Sequence, residues 1–127
     1  MVAPSLLIAD DDRDFRETLN NVFAPRGFDT HLASDGEEAL EIVGKRDIHL
    51  VLMDMHMPKL TGLETIGQIK LIRRDLPCIL ISGELDDEIR SQAGQAFEVL
   101  SKPVSFKQIT ATVDSALRSA YQWQIEF

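Results

Sequence analysis

The chain has 127 residues, 44% of them hydrophobic, which suits one ordinary globular domain with a substantial core. A formal net charge of -8 argues against a nucleic-acid surface, which needs clustered Lys and Arg to neutralise phosphates. No apolar run approaches the roughly 20 residues that span a bilayer. Met1-Val2-Ala3-Pro4-Ser5 also lacks the basic stretch and apolar core of a secretion signal, so a cytoplasmic chain with no membrane role is expected.

In chain order, Ser5-Leu6-Leu7-Ile8-Ala9 predicts a short strand that empties into Asp10-Asp11-Asp12. Phe15, Leu19, Val22 and Phe23 recur at helical spacing, and Pro25-Arg26-Gly27 stops that helix. Residues 28–33 give a weaker second strand. Ser34-Asp35-Gly36-Glu37 is a turn and cap into a short helix with Ala39, Leu40 and Val43 inward, closing near Gly44-Lys45-Arg46. Ile48-His49-Leu50-Val51-Leu52-Met53 then runs almost without polar interruption into Asp54, which predicts a strand buried on both faces of a parallel sheet. Taken alone, Asp54 reads equally as a turn residue before Pro58 or as a functional acid.

A helix over residues 62–74 carries Leu63, Ile66 and Ile69 inward, with Arg73-Arg74 at its carboxyl end. Pro77 breaks that pattern. Cys78-Ile79-Leu80-Ile81 forms a fourth strand ending at Ser82-Gly83; its Cys is the chain's single cysteine, has no intrachain partner and reads as core. The helix that follows has only Ile89, Ala93 and Ala96 inward and is expected to be weakly held and mobile. Residues 97–100 give a fifth strand ending at Ser101-Lys102-Pro103. Phe106, Ile109, Val113, Ala116, Leu117 and Ala120 mark an amphipathic last helix.

Alternation of five strands with five helices, without repeats or an internal linker, predicts a doubly wound α/β sheet of right-handed βαβ units. The strand ends then fall together. Asp10-Asp11, Asp54, Ser82 and Lys102 line one carboxyl edge, where open α/β sheets collect ligands. Crowded carboxylates repel unless a cation joins them, and a few carboxylate oxygens plus water suit Mg2+. Such an ion keeps positions open for phosphate oxygens, so the pocket suits a phosphoryl donor beside Asp54. A carboxylate can attack phosphorus to give an aspartyl phosphate, with the Lys102 ammonium and the Ser82 hydroxyl binding the phosphoryl oxygens. Asp54 is read as the nucleophile, not a general base.

Leu6-Leu7-Ile8-Ala9-Asp10-Asp11-Asp12, Leu52-Met53-Asp54-Met55-His56-Met57-Pro58 with Gly62, Ile81-Ser82-Gly83 and Ser101-Lys102-Pro103 follow in this order over about residues 5 to 120. Together they resemble the response-regulator receiver domains of two-component signalling systems. The resemblance implies a flavodoxin-like, five-stranded parallel sheet in the order 2-1-3-4-5, and a cis peptide at Lys102-Pro103. It also implies a phosphoprotein switch that is not an enzyme beyond catalysing its own phosphorylation and dephosphorylation. Asp54 would accept a phosphoryl group from the phosphohistidine of a partner histidine kinase or phosphotransfer protein. Mg2+ or Mn2+ would be held by Asp11, Asp54 and the His56 backbone carbonyl, with Asp10 acting through water. A downstream effector protein or domain would read the switch; homodimerisation is left open.

The chain also departs from the family pattern. Receivers often carry Tyr or Phe three residues before the Lys, where this chain has Val99. Phe97 would share a strand face with Val99 but sit too far from the pocket to replace that ring fully. Signalling is therefore expected to rest on Ser82 and the helix after the fourth strand. His56, two residues after the nucleophile, and Glu84, two after Ser82, resemble positions that shape the access of hydrolytic water. His31 and His49, inside predicted strands and without ligand spacing, are assigned no chemistry.

The receiver is expected to occupy residues 1–120, with 121–127 as a C-terminal tail or the start of a linker. Tyr121-Gln122-Trp123-Gln124-Ile125-Glu126-Phe127 holds the chain's only Tyr and only Trp, and a frayed helix end, a linker and a self-association segment are all consistent with it. Other functions fit less well. A phosphohydrolase using an aspartyl phosphate places a second Asp two residues after the nucleophile, where His56 stands. A flavodoxin-like cofactor binder wants a Gly/Ser/Thr-rich loop after the first strand, where three acids stand. A degenerate receiver serving as a phosphorylation-independent interaction module is the main alternative, opposed by the intact acids, Ser82 and Lys102.

Overall fold

Period-2 side-chain alternation along short strands sends successive residues to opposite faces, so a central strand with an unbroken apolar run must be covered on both. The computed structural model, which describes residues 3–83 and 87–124, has this arrangement. The elements are β1 (Ser5–Ala9), α1 (Arg13–Phe23), a 3-10 turn (Ala24–Arg26), β2 (Asp29–Ala33), α2 (Gly36–Lys45) and β3 (Leu50–Asp54). They continue with α3 (Gly62–Ile72), β4 (Cys78–Ser82), α4 (Asp87–Gln92), β5 (Glu98–Ser101) and α5 (Phe106–Tyr121). The strands pair in parallel in the order β2-β1-β3-β4-β5.

Leu6, Ile8, Leu50, Leu52, Ile79 and Ile81 face one layer, where they pack with Leu19, Val22 and Phe23 of α1 and Ile109, Val113, Ala116 and Leu117 of α5. Leu7, Ala9, Val51, Met53, Cys78 and Leu80 face the other, against Ala39 and Val43 of α2 and Ile66 and Ile69 of α3. Every residue of β3 and β4 is buried. Truncating one of these side chains, as in Leu52→Ala, costs about 2–5 kcal/mol. At the carboxyl edge, side chains take up the free N–H groups that begin four helices. Asp12 caps α1, Asp35 caps α2, Thr61 and Glu64 form a reciprocal capping box on α3, and Ser105 caps α5.

Several boundaries differ from those the sequence suggests. β3 starts at Leu50, so His49 lies outside the strand: its ring Nδ1, not a ladder carbonyl, accepts the Ser5 N–H at 2.9 Å. β2 starts at Asp29, and Phe28 is buried ahead of it against the Phe23 ring. α3 ends at Ile72 because Arg73 turns into extended backbone, which lets Leu76 drop into the core. β5 starts at Glu98, so Phe97 is not on the strand with Val99; its N–H donates to the Cys78 carbonyl at the amino edge and the residue is 39% exposed.

Along α5, Phe106 is 52% exposed and Ala120 is also exposed. The 16-residue helix is about 24 Å long, against roughly 16 Å for a five-residue strand, so its first and last turns overhang the sheet. α4 is short and has no fully buried side chain; Ile89 is half-buried, and the buried Ala93 comes after the helix has ended.

Tyr121 is the last residue of α5. Gln122 takes a left-handed conformation (φ 60) that caps the helix, and Trp123 turns back onto the amino edge of the sheet. The Tyr121 and Trp123 rings stack at 4.7 Å and meet the His49 ring edge-on at 5.6 and 4.8 Å. The Tyr121 hydroxyl donates to the His49 carbonyl at 2.8 Å. His49 is thus an anchor for the end of α5. Residues 125–127 of the tail lie outside the described residues. Among the described residues no helix is long and apolar enough to cross a membrane.

Candidate functional site

The last residues of two strands and the residues after two others bring polar and charged side chains to one edge. Asp10 follows β1 directly, Asp54 is the last residue of β3, Ser82 the last of β4, and Lys102 follows β5. Asp10 and Asp54 are only 2% and 5% exposed, whereas Asp11 is exposed. Carboxylate oxygens of Asp10, Asp11 and Asp54 all lie within 4.8 Å of one another. Into this cluster reaches the Lys102 ammonium, 3.1 Å from Asp54 Oδ1 and 3.5 Å from Asp10 Oδ2.

The pocket is fixed by bonds that leave the carboxylates room. The Asp10 N–H donates to Ala33 at 3.0 Å, its Oδ1 accepts the Asp12 N–H at 2.8 Å, and its carbonyl accepts from Arg16 Nη1 at 2.7 Å. The Lys102 N–H donates to the Ser82 carbonyl at 2.9 Å, and the Lys102-Pro103 peptide is cis. The Lys102 ammonium also lies 4.6 Å from the centre of the Phe15 ring, on the first turn of α1. A cation over an aromatic face is attracted by the ring quadrupole, so Phe15 helps hold Lys102 at the pocket.

Burial dominates the electrostatics. It pushes the Asp10 carboxyl up to about 6, against the Asp12 N–H, with the Asp54 charge raising it further. Burial likewise raises Asp54, opposed mainly by Lys102. Burial works against the Lys102 ammonium too, but Asp10 and Asp54 together push its pKa up. Three carboxylates face one ammonium, so the donor set is hard, oxygen-rich and under-neutralised, which fits a small divalent cation.

The loop after Asp54 returns at once to the sheet: the Met55 N–H donates to Ile81 at 2.9 Å and the Gly62 N–H to Met55 at 2.8 Å. His56 is exposed on this loop, Ser82 is fully buried, and Val99 is half-buried on the α4 side with Ile89 and Ala96. Glu84 lies outside the described residues. The sequence reading missed Phe15 as a pocket residue, although its place three residues after Asp12 puts it at the same edge. It also missed Lys59, whose ion pairs with Asp35 and Glu37 cross from the loop to α2.

A parallel sheet in this order, with acids and a lysine converging at its carboxyl edge, defines a receiver-type domain. The chain belongs to the family whose model is described as the response regulator receiver domain, which matches residues 6–114. Response regulator MprA of Mycobacterium sp. (strain KMS) is 30% identical over 115 residues, 89% of this chain and 50% of its own length. The chain thus spans half the length of this curated relative. Among solved structures, a CheY-like receiver domain protein from Methanospirillum hungatei JF-1 shares the fold with a TM-score of 0.92 at 20% identity, over 95% of this chain and 98% of its own. Response regulator TrrA from Thermotoga maritima, in complex with Mg(2+)-BeF, aligns with a TM-score of 0.82 at 29% identity, over 90% of this chain and 99% of its own. The domain is therefore a regulatory receiver of phosphoacceptor signalling.

Proposed function

We propose that Asp54 is the phosphoacceptor of a switch charged by a histidine kinase or phosphotransfer protein. One observation carries the reading: a buried carboxylate at the end of the central strand, with a lysine ammonium 3.1 Å away and two further carboxylates within reach of one cation. An Asp54 oxygen attacks phosphorus, the P–N bond of the partner's phosphohistidine breaks, and the imidazole leaves with its electron pair. Lys102 moves from neutralising carboxylates to binding phosphoryl oxygens, and Ser82 takes another of them. Asp11, Asp54 and the His56 carbonyl would hold Mg2+ or Mn2+, with Asp10 acting through water; the ion supplies charge neutralisation for the transferring group.

Ser82 then draws on the β4–α4 connection, and α4, with no fully buried side chain, is the element that responds. His56 and Glu84 tune the access of hydrolytic water. The receiver works in the cytoplasm and signals to an effector protein or domain; it takes in the end of α5 at Tyr121 and the Trp123 ring packed on His49, which leaves the residues after these as tail or linker. Incubation with a small phosphodonor and Mg2+, followed by mass measurement, tests the reading. Wild type is expected to gain one phosphoryl group and Asp54→Ala none; an unmodified wild type overturns it.

A further inference from the structure

The β3–α3 loop, residues 55–61, has no regular secondary structure, yet it is fastened from outside the pocket. Lys59 stands at φ 72, in the left-handed region that residues with a Cβ rarely adopt. Glycine would adopt this conformation freely, so the lysine is explained by its side chain. Its ammonium lies 3.5 Å from Asp35 Oδ2 and 3.4 Å from Glu37 Oε2, both at the start of α2. Asp35 is itself committed there, because its other oxygen caps α2 by accepting the Glu38 N–H at 2.8 Å.

A second contact runs beside the ion pairs. Leu60 packs so tightly on Gly36 that a Cβ built at Gly36 would fall 2.7 Å from the Leu60 Cβ and also collide with Thr65 Oγ1. The loop is thus pinned to α2 by a charged and an apolar contact, immediately after the stretch that carries the His56 backbone.

We propose that Lys59 is a positioning residue for divalent-cation binding: by tying the β3–α3 loop to the start of α2, it holds the His56 carbonyl in place for the ion. The inference rests on reading the pocket as a cation-dependent phosphoacceptor. Its ion pairs are with α2, not with the pocket carboxylates, so its effect runs through the backbone of the loop. The sign of the effect separates this role from bulk electrostatics. Removing a positive charge from the neighbourhood of three carboxylates should, by Coulomb's law alone, strengthen the attraction for a dication. Releasing a positioned ligand should weaken it.

The test is Mg2+ binding by titration calorimetry on wild type, Lys59→Gln, Lys59→Arg, Glu37→Gln and Asp54→Ala, with melting temperatures and amide spectra. Lys59→Gln is expected to bind Mg2+ about fivefold more weakly, with shifted amide signals for residues 55–60 and an otherwise native spectrum. Glu37→Gln should lose about twofold and Lys59→Arg should stay within about twofold of wild type, since arginine restores the cation. Equal or tighter binding by Lys59→Gln overturns the inference alone, as does failure of Lys59→Arg to restore affinity. Absence of Mg2+ binding by wild type, or undiminished binding by Asp54→Ala, overturns the pocket reading and this inference with it.

Discussion

Gly62 lies against the backbone of Asp54: a Cβ built at Gly62 would come 2.5 Å from the Asp54 carbonyl oxygen and 2.9 Å from Met55 Cα. Both neighbours are main chain and cannot rotate away. Gly62→Ala is therefore expected to displace the end of β3, lowering stability by about 1–3 kcal/mol in urea unfolding and weakening Mg2+ binding in the same protein. Gly44→Ala, where nothing lies within 4 Å of the added carbon and α2 continues, should be neutral or slightly stabilising.

Asp10 makes stability depend on pH in metal-free buffer. Its folded-state pKa of about 6 lies above the ordinary carboxylate value of 3.8, so between these values the folded chain keeps a proton that the unfolded chain has released. Stability should therefore fall as pH rises from about 4 to 6 and stay at the lower level above that. Asp10→Asn is expected to reduce this slope, leaving the share of Asp54, whose carboxyl burial also raises, and to stabilise the protein at pH 7 by on the order of 2 kcal/mol. A variant no more stable than wild type at pH 7 would refute the assignment.

The amino edge should be separable from the pocket. Tyr121→Phe removes the hydroxyl that donates to the His49 carbonyl and should cost about 1 kcal/mol in urea unfolding. Phosphodonor labelling of Asp54 should proceed at the wild-type rate, because Tyr121 and Asp54 lie at opposite edges of the sheet.

Beryllofluoride with Mg2+, whose fluorides stand in for phosphoryl oxygens, offers a test of the readout. Amide signals of Gly83 and residues 87–96 are expected to shift by more than those of α1, α2 and α5. Val99 is packed beside Ile89 and Ala96 and has no ring to swing. If residues 87–96 stay in place, Ser82 and α4 do not carry the signal.

The central strand was legible because burial on both faces leaves an unbroken apolar run in the sequence, and Asp54 stands where that run ends. Asp10, Asp11, Ser82 and Lys102 could be grouped for the same reason: parallel strands send all their carboxyl ends to one edge. Relations across space were not legible. The spacing of Phe15 fits a helix stripe and says nothing of the ammonium above its ring. Lys59 is an ordinary loop lysine until α2 is folded beside it. His49 continues the apolar run in sequence, but its ring nitrogen intercepts a backbone N–H and delays the strand. Phe106 and Ala120 match the helical period, yet a period cannot tell how far a helix overhangs the sheet it covers.

The stacked end of α5 also supplies a spectroscopic handle. Trp123 is the chain's single indole and rests on His49, while Asp54 stands at the far end of β3, roughly 16 Å along the strand. Local quenching by a cation or a phosphoryl group in the pocket does not reach across that distance. Any change in tryptophan emission when Asp54 is modified would therefore register only a rearrangement that has travelled the full height of the sheet.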